Sequence, residues 1–77
     1  MSPERLDARN LLCPLPVIRT QDRAQSMSPG ALLEVVATDP GVVNDIPAWC
    51  RLNGHSVRSI DQEGREIIVL VEIGSGS

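Results

Sequence analysis

Residues 11–18 read LLCPLPVI, and the Cys-Pro-x-Pro run at their centre marks the point where an extended segment gives way to a helix. A residue that precedes proline favours extended backbone angles. Proline itself suits the first turn of a helix, because its φ is preset and it has no amide hydrogen to leave unpaired. The run therefore predicts Cys13 as the N-cap and Pro14 as the first helical residue.

This placement makes Cys13 the candidate reactive residue. A sulfur at an N-cap faces unpaired backbone amides and the positive end of the helix dipole, which both favour the thiolate. The nearest amide belongs to Leu15, whereas Pro16 has none, so the thiolate is expected to be stabilised and still nucleophilic. Most free cysteines are small buried apolar residues, and that alternative stays open for Cys13.

Length and composition narrow the functional classes. The chain has 77 residues, which predicts one domain with an aliphatic core and little room for a cofactor cavity. The net charge of −3 and the single aromatic residue, Trp49, argue against direct binding of nucleic acid. All basic residues are arginine, which removes lysine chemistry. We expect neither a cofactor nor a metal site.

The ends of the sequence suggest a cytoplasmic protein. Residues 1–7 contain no apolar signal segment, and no window approaches the roughly 20 apolar residues of a membrane span. Both cysteines are then expected to be reduced. The Gly-Ser tail at 74–77 is predicted to be flexible, which leaves one domain at 1–73.

Hydrophobic periodicity predicts six elements in the order βαβαββ. The helices follow from apolar residues at helical spacing, and the last two strands form a hairpin around 62–64. The predicted elements are a strand at 5–8, a helix at 14–27, a central strand at 31–38, a helix from Asp39-Pro40 to Gly54, and strands at 57–61 and 65–73.

This order predicts an α/β (α+β) two-layer sandwich. Right-handed crossovers place both helices on one face of a mixed four-stranded sheet. The strand at 57–61 alternates poorly, and Pro47 is expected to bend the second helix.

The remaining polar candidates have simpler interpretations. Cys50 lies at an apolar position of the second helix and is predicted to be a core residue. His55 follows the glycine that ends this helix and is expected to cap its last carbonyls. Asp39 is interpreted as an N-cap and Asp45 as an exposed helix residue, so neither is assigned a chemical role.

Over nearly its whole length the chain resembles the TusA/SirA family of small sulfur-carrier proteins. The resemblance rests on six segments in the family's order and approximate spacing. These are Leu6-Asp7-Ala8, Cys13-Pro14-Leu15-Pro16, Ser28-Pro29-Gly30, Asp39-Pro40, Asp45-Ile46-Pro47 with Trp49-Cys50, and Gly54-His55.

The resemblance implies a fold like the C-terminal domain of translation initiation factor three. It also implies that Cys13, supported by Pro14, Leu15 and Pro16, accepts sulfur as a persulfide. The sulfur would come from a cysteine desulfurase or a rhodanese-like protein and pass to an acceptor protein. Such a protein is a carrier within sulfurtransferase relays rather than a stand-alone enzyme.

Two residues depart from the family pattern. Asn10 replaces a glycine, and Leu15 stands where the transfer-RNA thiolation branch often has an acidic residue. The Cys-Pro-Leu-Pro form resembles the branch found with sulfur oxidation, but transfer-RNA thiolation and molybdenum-cofactor supply, which the family also serves, stay open as pathways. A thiol redox module using Cys13 and Cys50, and a non-catalytic interaction or RNA-binding module, are the alternatives.

Overall fold

A computed structural model describes residues 3–74 and contains the six predicted elements in the predicted order. Their bounds agree with the predicted ones to within three residues at each end. The elements are β1 (Glu4–Ala8), α1 (Leu15–Ala24), β2 (Leu32–Ala37), α2 (Val42–Asn53), β3 (Ser56–Glu63) and β4 (Glu66–Glu72).

The strands form one mixed sheet in the order β1-β2-β4-β3. The β1 and β2 strands are parallel, while β4 is antiparallel to both β2 and β3. A parallel pair that is adjacent in the chain requires a crossover, which α1 supplies. The two helices and this sheet make an α+β two-layer fold, which confirms the predicted class.

The core is aliphatic and lies on one face of the sheet, against the helices. In β4, buried residues alternate with half-buried ones, as expected for a strand with a single covered face. In β2, Val36 on the other face is also buried, which agrees with its predicted central position. The largest fully buried core side chains include Leu33, Ile46 and Val69.

The hairpin of β3 and β4 is confirmed, with its turn at Gly64 and Arg65. Gly64 has a φ of +61°, a backbone conformation that glycine adopts without steric cost. β3 is an edge strand, and its register shifts between Val57 and Ser59. Exposure at the sheet edge together with this irregularity explains the poor alternation of its sequence.

Both helices differ from prediction at their ends. The first was expected to run to Met27, but α1 ends at Ala24, because the amides of Ser26 and Met27 donate to carbonyls only three residues back. The second begins at Val42 rather than at Asp39-Pro40 and continues through Pro47.

Glycines and asparagine occupy the positions of positive φ. Gly54 ends α2 at a φ of 78°, as its position after the apolar stripe predicts. Asn10 has a φ of 65°, so its replacement of the family's glycine is accommodated by a residue that tolerates this conformation. Of the predicted tail, Gly74 is described and 75–77 lie outside the described residues.

Within residues 3–74, no helix has the length and apolar character required to cross a membrane.

The core packing predicts the effect of truncating Ile46, which is 0% exposed. We expect Ile46→Ala to lower the free energy of unfolding by about 2–5 kcal/mol, because the lost methyl groups leave a cavity under the sheet. The measurement is denaturant unfolding followed by the fluorescence of Trp49. Val43→Ala is the control on the same helix, since Val43 is 39% exposed and should cost less than about 1 kcal/mol. Equal losses in the two variants would contradict this view of the core.

Candidate functional site

The parallel pairing of β1 and β2 builds the site. Ala8 and Ala37, at the carboxyl ends of the two strands, are directly paired, so the loops that follow them leave the same edge of the sheet. Hydrogen bonds tie the loops together. The Asn10 amide donates to Thr38 Oγ1 at 2.9 Å, and the Cys13 amide donates to Asp39 Oδ2 at 2.7 Å. Cys13 is thus fixed against the loop that leads into α2.

Cys13 lies in an exposed turn just ahead of α1. The Leu15 amide donates to the Leu12 carbonyl at 2.9 Å and closes this turn, and the Cys13-Pro14 peptide bond is cis. The N-cap of α1 is Pro14, and Leu15 is the first helical residue. The prediction that Cys13 is the N-cap is therefore wrong by one residue, because Pro14 belongs to the turn before the helix and only Pro16 lies in the first helical turn.

The start of α1 offers no free amide to the sulfur. The Leu15 amide is used within the turn, Pro16 has none, and the amides of Val17 and Ile18 both donate to the Pro14 carbonyl. The expectation that helix amides stabilise a Cys13 thiolate is consequently wrong. The donors that it invoked are satisfied by the backbone itself.

The sulfur instead contacts a carboxylate. Cys13 Sγ donates to Asp45 Oδ2 across 3.0 Å. This hydrogen bond is the largest cause that raises the pKa of the Cys13 thiol above its ordinary value, followed by desolvation and the negative charges of Asp45 and Asp39. The direction is opposite to that expected from the sequence, because both carboxylates favour the protonated thiol over the thiolate.

Asp39 organises the backbone around the thiol. Its Oδ1 accepts from the Gly41 amide at 3.0 Å and its Oδ2 accepts from the Cys13 amide at 2.7 Å. These two donors hold the pKa of the Asp39 carboxyl below its ordinary value. The N-cap of α2 is Gly41 without a side-chain bond, so Asp39 bridges the two loops rather than serving as the predicted N-cap.

Asp45 is the functional residue that sequence reasoning missed. It was interpreted as an exposed helix residue, but it is half-buried in the first turn of α2 and faces the thiol. The parallel pairing of β1 and β2 is the feature that could have placed Asp45 near Cys13. Once β1 and β2 are expected to be parallel neighbours, the loop with Cys13 and the start of α2 must lie at one edge.

Cys50 is a core residue, as predicted. It is 1% exposed, and burial raises the pKa of its thiol to about 11. Both cysteines are free in the structure.

His55 does not cap α2 with its side chain, which corrects the prediction. Its backbone amide donates to the Cys50 carbonyl at 2.8 Å, whereas its ring nitrogen Nδ1 accepts from the Gly74 amide at 2.9 Å. The imidazole ring lies against Trp49, with 4.7 Å between the ring centroids. His55 therefore fastens the chain after β4 to the end of α2.

Apolar residues flank Cys13 in the chain. Leu12 is 73% exposed and Leu15 is 41% exposed, while Leu11 is half-buried against the core and Pro16 is buried. The sequence offers Arg9, Arg19 and Arg23 either as a rim around the sulfur or as a solvated surface. Arg9 pairs with Asp7 and Glu66, Arg23 pairs with Glu4, and Arg19 is exposed on α1. No group of His, Cys, Asp and Glu side chains arranged to hold a metal ion occurs in the described part of the chain.

The two thiols should differ sharply in their reaction with iodoacetamide. In the folded protein at mildly alkaline pH we expect alkylation at Cys13 alone, because Cys50 is buried and protonated up to about pH 11. Peptide mass spectrometry identifies the labelled residue. Unfolding in guanidinium should then expose Cys50 to the reagent, and labelling of folded Cys13→Ser at Cys50 would contradict the burial.

Comparison with known proteins identifies the family of the chain. The family described as Sulfurtransferase TusA matches residues 4–73. The sulfur carrier protein TusA of Allochromatium vinosum is 38% identical over 69 residues, which are 90% of this chain and 91% of the relative. The protein YrkI of Bacillus subtilis is 41% identical over 63 residues, covering 82% and 84% of the two chains. The sulfur carrier protein TusA of Pseudomonas aeruginosa is 41% identical over 58 residues, which are 75% of this chain and 73% of the relative. The chain belongs to the TusA family of sulfur carrier proteins.

Proposed function

We propose that the protein carries sulfane sulfur as a persulfide on Cys13. A cysteine desulfurase or a rhodanese-like protein supplies the sulfur, and a second protein accepts it. The observation that carries the proposal is the exposure of Cys13 in a chain of the sulfur-carrier family, beside a second cysteine that is 1% exposed. Because the Cys13 thiol must be reduced for this role, the reducing cytoplasm is the proposed compartment.

The proposed chemistry consists of two thiol exchange steps. Cys13 loses its proton, and the thiolate attacks the outer sulfur of the donor persulfide. A bond forms between Cys13 Sγ and that sulfur, the sulfur-sulfur bond of the donor breaks, and the donor cysteine leaves as a thiolate that takes up a proton. An acceptor thiolate then attacks the outer sulfur in the same way and releases Cys13. No net oxidation occurs, so the relay needs no cofactor.

The fixed turn suits transfer between proteins. The Cys13 amide is anchored to Asp39 at 2.7 Å, and the turn is closed by the bond from Leu15 to Leu12. The sulfur is thus held at a defined place on the surface, within reach of a docked partner. Holding a reacting group in place reduces the entropy lost when the transfer complex forms.

The surface around the thiol indicates the kind of partner. We call Leu12, Cys13 and Leu15, with the adjacent carboxylates of Asp39 and Asp45, the docking patch. Among residues 3–74 neither carboxylate forms an ion pair. A partner with an apolar surface and basic side chains would complement the patch. The apolar Leu15 favours such a partner whether the pathway oxidises sulfur or thiolates transfer RNA.

Mass spectrometry tests the carrier function directly. The reduced protein is incubated with a cysteine desulfurase and cysteine, and separately with a rhodanese and thiosulfate. With at least one donor we expect the mass of one added sulfur, on the peptide that contains Cys13. Cys50→Ser should be loaded like the wild type, and Cys13→Ser should not be loaded.

Three outcomes would refute this function. They are sulfur addition at Cys50, no addition from either donor, and a disulfide between Cys13 and Cys50 in place of the added sulfur. The last result would support the redox alternative.

The docking patch predicts a second effect on loading. We expect Leu12→Ser to slow sulfur transfer from the protein donor several-fold, because Leu12 supplies exposed apolar area beside the sulfur. Its rate of alkylation by iodoacetamide should stay at the wild-type value, because the small reagent needs no docking. Leu52→Ser is the matched control, since Leu52 is 85% exposed at the far end of α2. Equal transfer rates in Leu12→Ser, Leu52→Ser and the wild type would exclude Leu12 from the interface.

A further inference from the structure

The contact between Cys13 and Asp45 joins two elements that are distant in sequence. Asp45 lies in the first turn of α2, where its amide donates to the Gly41 carbonyl at 3.0 Å. Its side chain is half-buried, and Oδ2 lies 3.0 Å from Cys13 Sγ. An ionised carboxylate is purely an acceptor, so the proton of this hydrogen bond belongs to the sulfur.

We propose that Asp45 is a positioning residue that keeps Cys13 a protonated, slowly reacting thiol while the carrier is unbound. The proposal deepens the proposed function and rests on it, because it assumes that Cys13 is the residue that carries sulfur. It assigns a role to a carboxylate that neither the family match nor the transfer steps account for.

The two carboxylates near the Cys13 thiol both raise its pKa. Asp45 acts from α2, and Asp39 acts from the loop after β2. From α1 the sulfur receives no compensating amide, because those of Leu15, Val17 and Ile18 are already bonded. Arg9, on the same loop as Cys13, is engaged by Asp7 and Glu66. The groups that shift the pKa of the Cys13 thiol therefore all disfavour the thiolate in the unbound protein.

Such restraint suits an exposed carrier. The thiolate is the nucleophile that reacts with alkylating agents and oxidants, so an exposed thiolate is readily modified. A carboxylate beside the sulfur lowers the thiolate fraction and protects the thiol between transfers. Loading then requires the proton to leave, which a docked protein can promote by bringing positive charge to Asp45.

The test compares Asp45→Asn with the wild type, both in a Cys50→Ser background, by the rate of alkylation with iodoacetamide over a range of pH. Asparagine keeps the shape of the side chain and removes its charge. We expect the rate near neutral pH to rise by about threefold, since the gain in thiolate is partly offset by the lower nucleophilicity of a less basic thiolate. At alkaline pH, where Cys13 is ionised in both proteins, the protein with Asp45 intact should react at least as fast as the Asp45→Asn variant.

A variant that is faster near neutral pH but not at alkaline pH indicates electrostatic restraint by Asp45 rather than a merely structural role. A variant that only loosened the turn would react faster at every pH. Asp61→Asn is the matched control, since it removes the same charge from an exposed position on β3 and should leave the profile unchanged. Circular dichroism of each variant checks the fold.

A second measurement needs no variant at position 45. The ultraviolet absorbance of the thiolate is titrated in Cys50→Ser, folded and in urea, and the midpoint should lie at higher pH in the folded protein. A lower or equal midpoint, or an unchanged alkylation profile in folded Asp45→Asn, would overturn the proposal. Neither measurement involves a sulfur donor, so failure of loading by desulfurase and rhodanese would refute the proposed function without altering this result.

Discussion

The parallel pairing of β1 with β2 is the constraint on which the site depends. It places the ends of the two strands, Ala8 and Ala37, side by side, and so brings the loop with Cys13 against the start of α2. Asp39 then bonds the backbone of both loops, and Asp45 reaches the sulfur. Residues separated by about thirty positions in the chain become one site because β1 and β2 have the same direction.

Access and reactivity are controlled separately in this site. The turn from Leu12 to Leu15 exposes the sulfur to a partner, whereas the two carboxylates disfavour its ionised form. Cys50 shows the opposite combination, because burial rather than a neighbouring charge raises its pKa. The chain therefore has one thiol that is exposed at the surface and one that the core keeps inert.

The prediction that helix amides stabilise the Cys13 thiolate is wrong for a local reason. The run of prolines correctly indicated the end of an extended segment and the start of a helix, but a shift of one residue changed the consequence. With Pro14 as the N-cap, its carbonyl takes the first helical amides, and the Leu15 amide closes the turn. A helix dipole acts on a side chain mainly through unpaired amides. Because the amides at the start of α1 are already bonded, Asp45 is the main influence on the pKa of the Cys13 thiol.

Local sequence patterns were sufficient for the elements, their order, the aliphatic core and the burial of Cys50. Such features depend on periodicity, turn residues and proline, which act over a few neighbouring positions. The partner of the Cys13 sulfur, the two-loop bridge of Asp39 and the bond from Gly74 to His55 became evident only in the folded chain. These contacts join residues far apart in sequence. Their distances depend on the sheet register and on the residue at which each helix begins, and a shift of one residue is enough to change them.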